Sequence, residues 1–262
     1  MKPVSAPVVA DSPDKIQAIG FSFFYGQTEA LHSLDLAVKR SSLLTIMGPT
    51  GSGKTTLLRA LNRLNDRVVG TKYTGQLLLD GNDVYGPGVD VAELRRRVGM
   101  VFALPVSLPL SIYDNVAYGP RKKGIRSRTK LDAMVEKALV DAAIFEEIKD
   151  RLHSPAQHLS GGQQQRLALA RVLAVEPEVI LLDEPTSGLD PLSTFRIEET
   201  LRQLKEHYTI ILVTHDSMQA ARINSDVAFL YLGELVEIGP AAEIFTRPRD
   251  RRTEDYITGK FG

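Results

Sequence analysis

Residues 48–55 read Gly-Pro-Thr-Gly-Ser-Gly-Lys-Thr. They follow directly on the apolar run Leu43, Leu44, Thr45, Ile46, Met47, and they precede a segment in which Leu57, Leu58, Leu61 and Leu64 recur at helical spacing. A strand, a glycine-rich loop and a helix in that order leave few folds open: the strand belongs in a parallel sheet within an α/β fold. Gly48, Gly51 and Gly53 let the backbone curl so that successive amides point inward at one anion, and the helix beginning near Lys54 adds the positive end of its dipole. Such a cradle suits a phosphate chain. Lys54 would reach the outer phosphates and the Thr55 hydroxyl would ligate Mg²⁺, with Pro49, Thr50, Ser52 and Thr56 completing the candidate nucleotide contacts.

A second motif fits the first. Val179, Ile180, Leu181 and Leu182 form a continuous apolar run, as buried parallel strands do, and the run ends in Asp183 and Glu184. Both carboxylates would then project beyond the carboxyl edge of the sheet, beside the phosphate loop. Asp183 suits the Mg²⁺ shell, and Glu184 suits a general base for an attacking water. Shortly upstream, Leu159-Ser160-Gly161-Gly162-Gln163 opens a helix, where hydroxyl, free amides and dipole converge on a further anion site. Each of these two segments also has a plain structural reading, an acidic turn and a capped helix. Their order along one chain favours chemistry.

Composition narrows the class. The 262 residues suit one large domain or two small ones, and the absence of Cys excludes disulfide scaffolds, thiolate zinc sites and thiol catalysis. Lys plus Arg number 32 against 32 Asp plus Glu, so a nucleic-acid-coating role is not expected. Apolar runs stay far below the ~20 residues that a membrane span needs, and no signal peptide is read before Asp11 and Asp14. Any contact with a membrane would be made through a partner. Residues 1–13 read as a flexible leader and 14–262 as a single domain. Strands are expected over 16–24, 34–38, 43–47, 77–79, 179–182, 209–213 and 227–231, and helices over 131–145, 160–174, 193–207 and 217–223. Residues 105–120 read as irregular and are followed by a basic stretch over 121–130.

With these motifs in this order, the chain resembles the ATP-binding cassette proteins, the motor subunits of ABC transporters, over nearly its whole length. The resemblance rests on Tyr25, on residues 48–55, 159–163 and 179–184, on Ser187-Gly188-Leu189-Asp190, and on His215 within Val213-Thr214-His215-Asp216. It implies a P-loop NTPase (RecA-like) core with a parallel sheet, an N-terminal antiparallel β subdomain, a helical subdomain inserted over about 104–175, and a tail over about 241–262. It also implies ATP with Mg²⁺, Tyr25 stacked on adenine, Asp190 ordering a dimer seam and His215 at the γ-phosphate. Tyr25 equally reads as a core or edge-strand tyrosine. In this family Ser160, Gly161, Gly162 and Gln163 of one copy close over the nucleotide held by the other, so two complete sites require a head-to-tail homodimer. The partners implied are a second copy, two transmembrane permease subunits and, indirectly, an extracytoplasmic solute-binding protein, with no nucleic acid. The location implied is peripheral, on the cytoplasmic face of the cell membrane.

Within the family the chain most resembles the ATPase subunits of bacterial phosphate importers, through residues 111–121, 219–223 and the tail 252–262. Composition and periodicity carry no information on phosphate, and importers of other oxyanions share these features. One motif departs from the family. After residues 98–102 the family places a glutamine that touches Mg²⁺ and the attacking water, whereas this chain has Ala103. Water filling the gap with slower hydrolysis is one reading; altered coupling, or a slow-turnover regulatory subunit, is another. A soluble cassette ATPase of translation or DNA repair is disfavoured, since the chain has one motif set and no extended heptad run. The basic stretch reads as a solvated helical face in preference to a contact with anionic lipid.

Overall fold

The computed structural model describes residues 14–260. The leader expected over 1–13 lies outside them, as do Phe261 and Gly262. Two long strands come first, β1 (Asp14–Tyr25) and β2 (Thr28–Lys39). In β2, Leu34, Leu36 and Val38 face inward while Asp35, Ala37 and Lys39 face out, the alternation of a half-buried antiparallel strand. The chain continues through β3 (Leu43–Met47), α1 (Lys54–Leu61), β4 (Thr71–Leu79), β5 (Asn82–Asp83), α2 (Val91–Arg97) and β6 (Val98–Val101). Four helices follow, α3 (Ile112–Lys122), α4 (Arg128–Asp141), α5 (Phe145–Ile148) and α6 (Gly161–Leu173). The last third alternates β7 (Val179–Asp183), α7 (Pro191–Leu204), β8 (Thr209–Thr214), α8 (Ser217–Ile223) and β9 (Asp226–Tyr231), then ends in β10 (Glu234–Pro240), α9 (Ala241–Thr246) and α10 (Arg251–Ile257).

Two sheets result. One is antiparallel, in the order β2-β1-β4-β5; the other runs β10-β9-β3-β8-β7-β6. In the second sheet β9, β3, β8, β7 and β6 are parallel, and β10 closes one edge antiparallel to β9. Strands β3, β7 and β8 are buried along their whole length, which accounts for their largely apolar sequence. The α/β core with a parallel sheet is as the motifs imply, and the antiparallel N-terminal sheet is as the family resemblance implies.

Several expectations are corrected. The segment 105–120 is not irregular throughout, since α3 begins at Ile112 and carries Pro120 inside it. Ser111 caps this helix by accepting the Asp114 amide at 3.0 Å, and Ile112, Val116, Ala117 and Pro120 form its buried stripe. Burial of that stripe outweighs the hydrogen bond that Pro120 forfeits near the helix end. The helix expected over 131–145 instead spans Arg128–Asp141 and breaks where Ala143 takes φ +52. Strand β4 runs further upstream than residues 77–79, and α2, β10, α9 and α10 were not foreseen. Two cations of the basic stretch make local pairs on exposed helix faces, Arg121 with Asp114 at 2.7 Å and Arg128 with Asp132 at 3.0 Å.

An ion cluster fastens the two sheets together. Lys15 of β1 reaches Asp80 at 2.8 Å and also pairs with Glu178, just before β7. Arg97, at the end of α2, reaches Glu178 at 2.6 Å and contacts Asp80 as well. The Arg97 guanidinium, aided by Lys15, holds the Glu178 carboxyl down to about 2. This depressed pKa adds stability that is present above the ordinary value of 4.5 and is lost as pH falls toward about 2. Glu178→Gln is therefore expected to cost about 1 kcal/mol at neutral pH, after discounting for solvent screening. It should also flatten the fall in unfolding midpoint between pH 4.5 and pH 2, followed by circular dichroism.

Candidate functional site

Strand β8 lies between β3 and β7, and the registers Met47↔Thr214 and Asp183↔Val213 bring the three chains out at one edge of the sheet. Gly48, Glu184 and His215 are the next residues along these chains. This carboxyl edge is where open α/β sheets hold ligands.

The phosphate loop is tightly built. A Cβ on Gly48 would lie 2.0 Å from the Leu230 carbonyl oxygen, and one on Gly53 would lie 2.7 Å from that of Ala30, so only glycine fits at either place. The buried Ser52 hydroxyl has no hydrogen-bond partner among the described residues. Lys54 is buried and donates to the carbonyls of its own loop, Gly48 at 2.8 Å and Pro49 at 2.7 Å. Burial lowers the Lys54 pKa, opposed by the nearby charges of Glu184 and Asp183. Thr50 and Gly51 are exposed at the loop's crest. A buried hydroxyl without a partner among the described residues, a desolvated ammonium held by loop carbonyls and a loop with no room for a side chain at Gly48 or Gly53 together fit a phosphate chain.

Beside the loop, the Thr55 hydroxyl donates to Asp183 at 2.9 Å. Burial raises the Asp183 pKa, and the Thr55 hydrogen bond partly offsets this. These two oxygens are the groups that would hold Mg²⁺. His215 Nδ1 lies 3.0 Å from a carboxylate oxygen of Glu184. Glu184 has φ +47, a left-handed conformation that costs a β-carbon-bearing residue of order 1 kcal/mol, and its amide donates to Val213 at 2.9 Å. A cavity of about 240 Å³ opens in front of the pair, lined by Thr186, Ser187, Gly188 and Leu189 among others.

The remaining expected residues fall into two further groups. Tyr25 ends β1, half-buried, with its hydroxyl donating to Asn65 at 3.0 Å and its ring edge-on to Phe23; Asn65 in turn donates to the Thr56 carbonyl at 2.9 Å. The tyrosine is thus tied to α1 through Asn65. In the second group Ser160 caps α6, exchanging hydrogen bonds with Gln163 at 3.4 and 3.2 Å. A Cβ on Gly162 would lie 2.3 Å from the Ser193 hydroxyl, and Gly161 faces Leu189. Asp190 caps α7, accepting from the Ser193 amide at 2.9 Å and its hydroxyl at 2.6 Å. Residues 160–163 and Asp190 therefore share one surface. No hydrogen bond among the described residues joins that surface to the phosphate loop.

Some supports had no local sequence pattern. Gln219 of α8 donates to the Thr186 hydroxyl at 2.8 Å and to the buried Glu198 at 3.4 Å, linking the helix after His215 to the turn after Glu184. Glu147 receives Arg166 at 2.6 Å and Gln163 at 3.0 Å behind the start of α6. The buried Gln165 donates to the Phe102 carbonyl at 2.9 Å, directly before Ala103.

A family model described as ABC transporter matches residues 31–187, more than half of the chain. The chain belongs to the ABC transporter family. As a family member it is an ATP-binding subunit whose activity is ATP hydrolysis, serving a transporter complex with membrane subunits. It is 50% identical over 260 residues to a Vibrio parahaemolyticus protein named phosphate import ATP-binding protein PstB 1, covering 99% of this chain and 96% of that protein. Among solved structures, cbiO1 from Clostridium perfringens, part of the ABC transporter complex cbiONQ, superposes with a TM-score of 0.80 at 27% identity, covering 95% of this chain and 97% of that one. A bacterial Atm1-family ABC exporter with ATP bound gives a TM-score of 0.78 at 29% identity, covering 98% of this chain and 44% of the exporter. No helix among the described residues is long and apolar enough to cross a membrane.

Proposed function

We propose that this subunit is the ATP-hydrolysing motor of an importer for inorganic phosphate, working as a head-to-tail pair with a second copy of itself. The pair would sit on two membrane permease subunits at the cytoplasmic face of the membrane, fed by an extracytoplasmic solute-binding protein. The observation that carries the catalytic reading is the Glu184–His215 contact of 3.0 Å at the edge where the phosphate loop begins. The identity to the phosphate import protein supports the choice of cargo.

Phosphates entering the cradle would draw Lys54 away from the Gly48 and Pro49 carbonyls, and the Ser52 hydroxyl and the loop amides would gain partners. Mg²⁺ would neutralise developing charge on the phosphates. Thr55 and Asp183 would hold it. Glu184 would take a proton from the attacking water, while His215, hydrogen-bonded to it, would fix the carboxylate's aim and meet the γ-phosphate. Tyr25 would stack on the adenine. Ser160, Gly161, Gly162 and Gln163 of the second copy would close over the phosphates, with Asp190 at the seam.

Helices α3 to α6 would form a helical subdomain over about 104–175 that faces the membrane subunits, with 241–262 as a C-terminal tail. A groove of about 390 Å³ beside Ala103, with Phe102, Leu104, Val106 and Tyr118 exposed, offers those partners an apolar seat. Uptake of labelled phosphate by the reconstituted transporter, in competition with sulfate and molybdate, tests the cargo. Preference for phosphate is expected; equal or better uptake of another oxyanion would reassign it.

Ala103 favours a second reading, a slow-turnover subunit, because it presents no polar atom to a water. Ala103→Gln is expected to raise ATP hydrolysis in the assembled transporter roughly 3- to 10-fold, the scale of one recovered hydrogen bond. An unchanged or lower rate would count against this account of the loop.

A further inference from the structure

The C-terminal tail packs directly under the active edge. Helices α9 and α10 share a small apolar cluster with Met47, which precedes the phosphate loop, with Ala220 of α8, and with Phe229 of β9. The entry to α10 is clamped: Glu237 of β10 accepts the backbone amides of Arg249 at 2.9 Å and Asp250 at 3.2 Å, and Asp250 caps the helix by accepting the Arg252 amide at 2.8 Å. From that clamped helix Tyr256 lays its ring 5.0 Å from the Phe229 ring and donates its hydroxyl to the His215 carbonyl at 2.8 Å. The same ring packs against the cluster that holds Met47, the residue before the phosphate loop. One tail side chain thus reaches the peptide that carries His215 from a cluster that includes the last residue of β3.

We propose that Tyr256 is a positioning residue for ATP hydrolysis, whose hydroxyl holds the His215 peptide at the edge of the sheet so that the imidazole meets Glu184. The His215 side chain is 56% exposed, so its aim depends on the backbone from which it projects. That backbone lies just past the last residue of β8, and Asp216 then caps α8. The sheet ladder therefore no longer fixes the 215–216 peptide: its amide donates to the Thr214 hydroxyl at 3.0 Å, and the Tyr256 hydroxyl anchors its carbonyl. Displacements of the order of 1 Å in a catalytic group lower rates strongly, so a single anchoring hydrogen bond can set turnover without touching the substrate.

The role rests on the proposed Glu184–His215 chemistry, and the test separates the two. Tyr256→Phe keeps the ring packing and removes only the hydroxyl. In the transporter complex it is expected to lower kcat for ATP about 5-fold, the scale of one hydrogen bond, with KM for ATP unchanged within about 2-fold. Added to His215→Ala, it should cause no further loss, because both changes act through one imidazole. An unchanged kcat in Tyr256→Phe beside a large loss in His215→Ala would overturn the tail's role alone, as would a Tyr256→Phe loss that persists in full on the His215→Ala background. Native turnover by His215→Ala would overturn both readings.

Discussion

Glu184→Gln is expected to lower ATP turnover by about 10²- to 10³-fold while ATP still binds with near-native affinity. The carboxylate directly follows a buried strand, stands in a left-handed backbone conformation and meets His215 at 3.0 Å. Gln has nearly the same shape and can still hydrogen-bond the imidazole, so strand, turn and cavity should persist. What it cannot do is accept a proton from water. The effect should therefore fall on the chemical step, visible as slow single-turnover hydrolysis beside normal binding in calorimetry. If turnover falls less than 10-fold, proton transfer runs through another group, since general-base contributions are typically far larger than that.

Lys54→Met is expected to weaken ATP binding by about 10²-fold or more and to remove measurable hydrolysis, because a buried charge-assisted contact to phosphate is lost. Among the described residues Lys54 meets no carboxylate within salt-bridge distance; it donates to two loop carbonyls, and burial works against its charge. The fold itself thus gains little from the ammonium. Its unfolding midpoint without ATP should move by no more than a few degrees, while the rise in midpoint on adding ATP should vanish. A variant that unfolds at assay temperature would mean that Lys54 is structural before it is functional.

The phosphate loop, the strand ending in Asp183 and Glu184, and the cap at Ser160 were legible because each is written in consecutive residues with a local physical reason. The antiparallel sheet and α3 were less so. Pro120 and the prolines before it mask a helix whose stability comes from its buried stripe, which no local propensity records. The same holds for the site's supports. Gln219 to Thr186, Gln165 to Phe102 and Tyr256 to His215 join residues far apart in sequence, and nothing near any of them marks the partner. Tyr25 shows a further limit: its place ahead of the phosphate loop was readable, but its tie through Asn65 to Thr56 was not. Ala103 was visible as a departure, whereas the Gln165 amide that holds the carbonyl before it emerged only from the packing of α6.

The most direct test records phosphate uptake and ATP hydrolysis on the same proteoliposomes, containing this subunit with its membrane partners, and compares the native chain with Glu184→Gln. The expected result is Mg²⁺-dependent hydrolysis that rises and falls with phosphate uptake in the native complex, and loss of both in the variant. Hydrolysis at the native rate in Glu184→Gln, or hydrolysis by the native complex with no phosphate taken up, would contradict it.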